Sequence, residues 1–197
     1  THNGRRILLT ETETLVVGVN PDNGALLWTY PHKTEYDIHA VTPLYSGGLV
    51  YFSGGYGSGG GALELSADGS AVTLKWEDKK LDCQHHGVVL VDGCLYGTGH
   101  KNNKLVCLEM ATGKLMWESK DVKQGDVIFA DGMLYVYEGP KAGVVDLVKV
   151  SSGGMELAGK VTVTEGEDKH WAHPVIANGR LYVRHGDALI AYAIAAK

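Results

Sequence analysis

Short apolar runs bounded by glycine-bearing turns fill this chain, and apolar positions at helical spacing are missing over any useful length. That pattern predicts many short strands and an all-β fold. The element Gly-x-[Leu/Val]-Tyr occurs four times, at Gly48–Tyr51, Gly93–Tyr96, Gly132–Tyr135 and Gly179–Tyr182, with tyrosines 45, 39 and 47 residues apart. This period is the length of a four-stranded unit with its turns, and a β-propeller of four-stranded antiparallel blades is the architecture it predicts.

Each copy follows a small apolar strand and a turn pair: Gly47-Gly48, Asp92-Gly93, Asp131-Gly132 and Asn178-Gly179. Such pairs accept the positive φ of a two-residue hairpin, so they join an inner strand A to a strand B. Strand A is then expected at 41–45, 88–91, 127–130 and 174–177. A second turn, at Asp22-Asn23-Gly24, Asp68-Gly69, Thr112-Gly113 and Ser152-Gly153-Gly154, separates strand C from an outer strand D. The first unit supplies B (6–10), C (15–19) and D (25–29) but no A, and the last supplies no D. The chain thus reads as a single repeat domain with blades at roughly 1–36, 37–82, 83–122, 123–168 and 169–197, about four blades in all.

Strand D carries Trp28, Trp76 and Trp117, and in the segments Asn23–Trp28 and Thr112–Trp117 the indole follows the glycine by four residues. A bulky amphipathic ring at a repeated outer position is suited to wedge between neighbouring blades while its N–H finds a carbonyl. Ala158 stands at the corresponding place in the fourth copy, so one blade junction is expected to pack differently.

The segment Leu108-Glu-Met-Ala-Thr-Gly-Lys-Leu-Met-Trp117 and its cousin Val19-Asn-Pro-Asp-Asn-Gly-Ala-Leu-Leu-Trp28 resemble the tryptophan-docking element of the quinoprotein-like, or PQQ-like repeat, β-propellers. That family includes dehydrogenases binding pyrroloquinoline quinone (PQQ) and outer-membrane assembly lipoproteins. Segments of the type Asp-Gly-x-Leu-Tyr and Trp171-Ala-His-Pro174 are similar to those of uncharacterised bacterial members. The resemblance implies an eight-bladed ring, of which this chain is the C-terminal half, and a periplasmic or otherwise exported setting. The rest of the propeller, from the same or a second chain, is then a required partner, because open ring ends expose unpaired backbone and apolar flanks.

Charge narrows the partners further. The balance of 18 Lys and Arg against 23 Asp and Glu, without a basic run, makes nucleic acid an unlikely ligand. No apolar stretch is long enough to span a bilayer as a helix. Cys83, Cys94 and Cys107 lack any zinc spacing. Cys94 and Cys107 face each other if Tyr96 stands opposite Leu105, but a cross-strand disulfide strains the preferred geometry, so buried free thiols are the expectation.

By strand geometry the A–B and C–D turns share one rim, and the longer D–A and B–C connections share the other. This second rim holds His39, His85, His86, His170 and His173 in D–A loops and His100 and His185 in B–C loops. Equivalent loop positions are His39, His85, Gln124 and Trp171, which are expected to meet near the axis. A funnel of His39, His85, His86, Gln124, His170, Trp171 and His173 suits a small polar ligand or a metal. The same histidines serve equally well to fasten strand starts to neighbouring backbone. No carboxylate stands near any histidine pair in a ligand pattern, so no metal ligand set and no catalytic set is assigned.

The resemblance to quinone enzymes would place Trp171 against PQQ, bound with calcium, and Asp126 or Asp187 as a base, but their adjacent cysteine pair is missing. Gly55–Gly60 matches G-x-G-x-x-G formally, yet Ala62–Leu65 reads as a strand rather than the helix that a dinucleotide fingerprint needs. It is expected to be a flexible B–C loop. Three readings follow: a non-catalytic binding or assembly module for protein or polysaccharide partners, a fragment of a PQQ-dependent alcohol-type dehydrogenase, and a small-ligand or metal site in the funnel.

Overall fold

The structure, a computed structural model, describes residues 1–139, 141 and 143–194. The end of the fifth expected blade, 195–197, lies outside the described residues. Among these, 18 strands form five antiparallel meanders of three, four, four, four and three strands. The first sheet holds β1 (Leu8–Glu11), β2 (Leu15–Val19) and β3 (Leu26–Pro31). The second holds β4 (Leu44–Ser46), β5 (Leu49–Gly54), β6 (Gly59–Leu65) and β7 (Val72–Asp78). The third runs β8 (Val88–Val91), β9 (Cys94–Thr98), β10 (Leu105–Glu109) and β11 (Leu115–Ser119). The fourth runs β12 (Gly125–Ala130), β13 (Met133–Glu138), β14 (Val144–Ser151) and β15 (Gly154–Thr162). The fifth has β16 (Val175–Ala177), β17 (Arg180–His185) and β18 (Ala188–Ala193).

The turn chemistry explains the meanders. Asp92, Asp131 and Asn178 adopt φ of 48°, 51° and 50°, each followed by a glycine at positive φ, as a two-residue hairpin requires. Strands alternate their faces, so each four-stranded sheet offers apolar residues to the sheet before it and the sheet after it. Four apolar clusters result, one at each junction. Val16 and Trp28 meet Phe52 and Leu63; Tyr51 meets Leu81 and Leu108; Tyr96 meets Val127 and Val148; Tyr137 and Val145 meet Leu181 and Val183. Each such buried side chain contributes about 1.5–3 kcal/mol.

No cluster joins the fifth sheet to the first among the described residues. Leu8 and Leu26 are exposed at one end of the arc, and Val175 and Leu189 at the other. Among the described residues the only helix is the single 3-10 turn Glu35–Asp37, and no helix is long and apolar enough to cross a membrane.

Two local expectations are corrected. Tyr96 stands opposite Cys107 and Thr98 opposite Leu105, so each partner lies two residues beyond the one expected and the hairpin closes one residue later, and Cys94 faces Glu109. All three cysteines are free and buried. The Gly55–Gly60 segment is pinned rather than loose: Tyr56 N–H donates to His100 Nδ1 at 3.0 Å and Gly57 N–H to Asp82 Oδ2 at 3.0 Å.

The tryptophans also divide. Trp76 donates its indole N–H to Met110 O of the third sheet at 3.0 Å, and its ring lies so close to Gly113 (φ 72°) that a β-carbon there would meet it at 2.5 Å. Trp117 donates to Ser151 O of the fourth sheet at 2.8 Å. Trp28 departs from the expectation: its ring folds back over Gly18, its own cross-strand partner, and its buried N–H finds no acceptor. The matching place on the second sheet is taken by His2, whose Nε2 is 2.9 Å from Ser66 O.

Candidate functional site

One repeat position positions the loops of the histidine-bearing rim. Two residues past the repeat tyrosine, Ser53 donates to Leu81 O at 2.8 Å and accepts from Cys83 N–H at 3.0 Å. At the same register Thr98 donates to Gly125 O at 2.9 Å and accepts Gly125 N–H at 3.0 Å. Tyr137, again at this position, bonds His170 Nδ1. Each polar side chain thus grips the D–A loop of the next sheet, fixing where that loop's side chains point. In the first sheet this place belongs to Glu11, opposite Val16 in the register that puts Leu9 where the other sheets have tyrosine.

The loops so held bring His85, His86, Gln124, Asp126, Trp171 and His173 together across three sheets. The side chain of Asp126 is fully buried. His173 Nε2 comes within 3.2 Å of its Oδ1 but is also 2.8 Å from the His85 carbonyl, to which it must donate, since a carbonyl only accepts. Neither Asp126 oxygen has a hydrogen-bond partner, and His85 Nδ1 is 3.9 Å away. Burial therefore pushes the Asp126 carboxyl up to about 7, opposed in part by His173.

The His85 and His86 rings lie tilted at 40° to one another with centroids 3.9 Å apart, and the Gln124 amide reaches His86 Nε2 at 3.0 Å. Gln84 extends the chain, 3.3 Å from Gln124 and 2.6 Å from the Tyr56 hydroxyl. Burial, aided by the neighbouring imidazoles, lowers His86 to about 2 and His85 to about 4. Above the cluster Trp171 is 47% exposed, 5.4 Å from His85, with Lys169 Nζ 4.1 Å from its ring centroid. A carboxyl that changes charge near neutrality, beneath an exposed indole, is the kind of perturbed group that marks ligand sites.

Not all of the predicted funnel converges here. His170 stacks on His185 at 3.7 Å and packs with Tyr137 at the last junction. His39 belongs to a separate cluster with Glu11 and His32, so a carboxylate does stand beside a histidine pair, contrary to the sequence reading. Asp187 lies in the turn between β17 and β18. Sequence reasoning missed Glu11 and His32; the polar side chain two residues past the tyrosine position was the signal available for Glu11.

A family model described as outer membrane protein assembly factor BamB matches residues 1–119 and 69–197. Among solved structures, BamB from Moraxella catarrhalis superposes with a TM-score of 0.69 at 17% identity, covering 94% of this chain and 55% of that one. A quinohemoprotein alcohol dehydrogenase from Comamonas testosteroni gives 0.67 at 12% identity, covering 95% and 41%. The WD40 domain of Toxoplasma gondii coronin gives 0.65 at 11% identity, covering 94% and 52%. At these identities the likeness is one of fold, and the chain spans about half the length of these proteins. No curated protein matches the sequence.

Proposed function

Because the chain belongs to the outer membrane protein assembly factor BamB family, whose model matches it from end to end, we propose that it is a non-catalytic binding module of outer-membrane protein assembly. Its setting in this reading is periplasmic. Its binding face is the histidine-bearing rim, and its partner is another protein of the assembly machinery. The observation that carries this reading is Trp171, left 47% exposed and 5.4 Å from His85 in the cluster built around the fully buried Asp126. Tryptophans seated on a rigid base at a patch centre are the usual anchors of protein interfaces.

The test is direct binding of purified components of that machinery to the wild type and to Trp171→Ala. A loss of tenfold or more in affinity, with unchanged far-UV circular dichroism, is expected. Equal affinity for the two proteins would remove the rim from the interface, and no affinity for any component would remove the assembly role.

Further blades, from this or a second polypeptide, cover the flanks bearing Leu8 and Leu26 and bearing Val175 and Leu189. A stable lone 21.1 kDa monomer by native mass measurement would count against that. A quinone-dependent activity is the weaker reading, since one face of Trp171 carries Lys169 and would need clearing before a quinone stacks there. Titration with PQQ and calcium, read by quinone absorption, separates the two.

A further inference from the structure

We propose that Glu11, His32 and His39 form a site for a divalent transition-metal ion that staples the first D–A loop to the end of β1. The three come from separate segments: Glu11 ends β1, His32 directly follows β3, and His39 lies just beyond the 3-10 turn. Their ligand atoms all lie within 4.8 Å of one another. Glu11 Oε2 is 3.0 Å from His32 Nδ1 and 3.0 Å from His39 Nδ1. Ligands about 2.0–2.2 Å from a shared cation in tetrahedral arrangement stand ~3.3–3.6 Å apart, so each pair has to open by only a few tenths of an ångström.

Between His39 Nδ1 and Glu11 Oε2, hydrogen-bond chemistry calls for a cation or an added proton. His39 Nε2 is 3.0 Å from the Glu13 carbonyl, which can only accept, so in the neutral ring the proton is on Nε2. The Nδ1 lone pair then faces a carboxylate oxygen that also only accepts. A histidine whose outer N–H is held by a backbone carbonyl and whose other nitrogen faces inward is the arrangement that metal ligands adopt.

Burial adds a second, independent argument. The side chains of Glu11, His39 and His32 are 1%, 2% and 8% exposed. Glu11 Oε1 and His32 Nε2 are buried without any partner, and among the described residues no Lys or Arg pairs with Glu11. A buried carboxylate without a cation is costly. A bound ion supplies the charge, and Glu11 Oε1 is free to give it a second oxygen.

Two imidazoles and one carboxylate select borderline ions such as Zn²⁺ or Co²⁺ over Mg²⁺ and Ca²⁺. The site's depth makes the role structural. The spanned loop holds Tyr36 and Asp37 at φ of 64° and 54°, a conformation that needs support from its surroundings.

The test is cobalt and zinc titration of chelator-treated full chain, with elemental analysis after dialysis. The wild type is expected to keep a single ion, to show a visible cobalt d–d band, and to rise in Tm with zinc. Glu11→Gln should weaken binding roughly tenfold or more. His85→Ala/His173→Ala, which removes the two histidines flanking Asp126, should leave it unchanged. Should Glu11→Gln misfold, cobalt-shifted proton resonances in the wild type must belong to the His32 and His39 rings. Shifts centred on other histidines, binding equal in Glu11→Gln, or no retained ion would each overturn the proposal; the last would leave a proton between His39 and Glu11 in the ion's place.

Discussion

Trp117 donates its indole N–H to the Ser151 carbonyl at 2.8 Å, tying the third sheet to the fourth, whereas Trp28 buries the same N–H with no acceptor. Phenylalanine keeps much of the ring's apolar area and removes the donor. Trp117→Phe should therefore lose one net hydrogen bond to a solvent-accessible carbonyl, costing about 0.5–1.5 kcal/mol. Trp28→Phe removes an unsatisfied donor and should cost clearly less. Urea unfolding of the two variants checks the difference, and a larger loss at Trp28 would contradict it.

Thr98 carries a double role that no other atom can assume: its hydroxyl donates to Gly125 O and accepts from Gly125 N–H. Thr98→Val preserves shape but strands both backbone groups in a buried place. The expected cost is on the order of 2–4 kcal/mol, from two unsatisfied groups. Thr98→Ser should recover most of it. Equal destabilisation by serine and valine in urea melts would show that the methyl group, not the hydroxyl, holds the loop.

The propeller was legible because its signals are local and repeated. A glycine-led turn and a tyrosine mark four of the five units, and β2 and β8 fall on the apolar runs expected as strands. The register of β9 on β10 was not, because it depends on how residues 99–104 close, and Asn103 at φ 51° lets the hairpin turn later than a simple count allows. Site residues fared unevenly for a related reason. His85, His86, Gln124, Trp171 and His173 share one kind of loop, so the strand pattern alone gathers them. Glu11 and His39 are 28 residues apart, and their meeting depends on a strand-end side chain reaching the next loop. Trp28 shares its spacing with Trp117, but Gly18 opposite it leaves room for the ring to fold home.

The same register correction fixes the state of the thiols. Cys94 lies opposite Glu109 and Cys107 opposite Tyr96, and all three cysteines are buried and free. Burial pushes the Cys107 thiol up to about 12 and Cys83 higher still, which suppresses the reactive thiolate. A thiol reagent should label three cysteines per chain in denaturant without prior reduction and label them far more slowly in the native protein. Finding only one reactive thiol in denaturant would point to a disulfide.

Asp126 and His86 give the rim opposite pH dependences. Burial raises the Asp126 carboxyl from 3.8 to about 7, so between these values the folded protein holds a proton that the unfolded chain has released. Its contribution to stability is complete below about pH 4 and is lost as pH rises through 7. His86 is lowered from 6.5 to about 2, so the folded ring refuses a proton that the unfolded chain accepts. Its contribution is complete above pH 6.5 and is lost as pH falls toward 2. Asp126→Asn abolishes the first dependence: relative to wild type it should gain on the order of 1–4 kcal/mol between pH 4 and 8, at about 1.4 kcal/mol per pKa unit. His86→Gln should instead flatten the acid limb below pH 6.5, whatever its constant cost in packing. Urea melts across this range measure both slopes separately. An Asp126→Asn difference that does not change with pH would mean that His173 keeps the carboxylate charged, and the cluster would then be a fixed ion pair rather than a site that changes charge near neutrality.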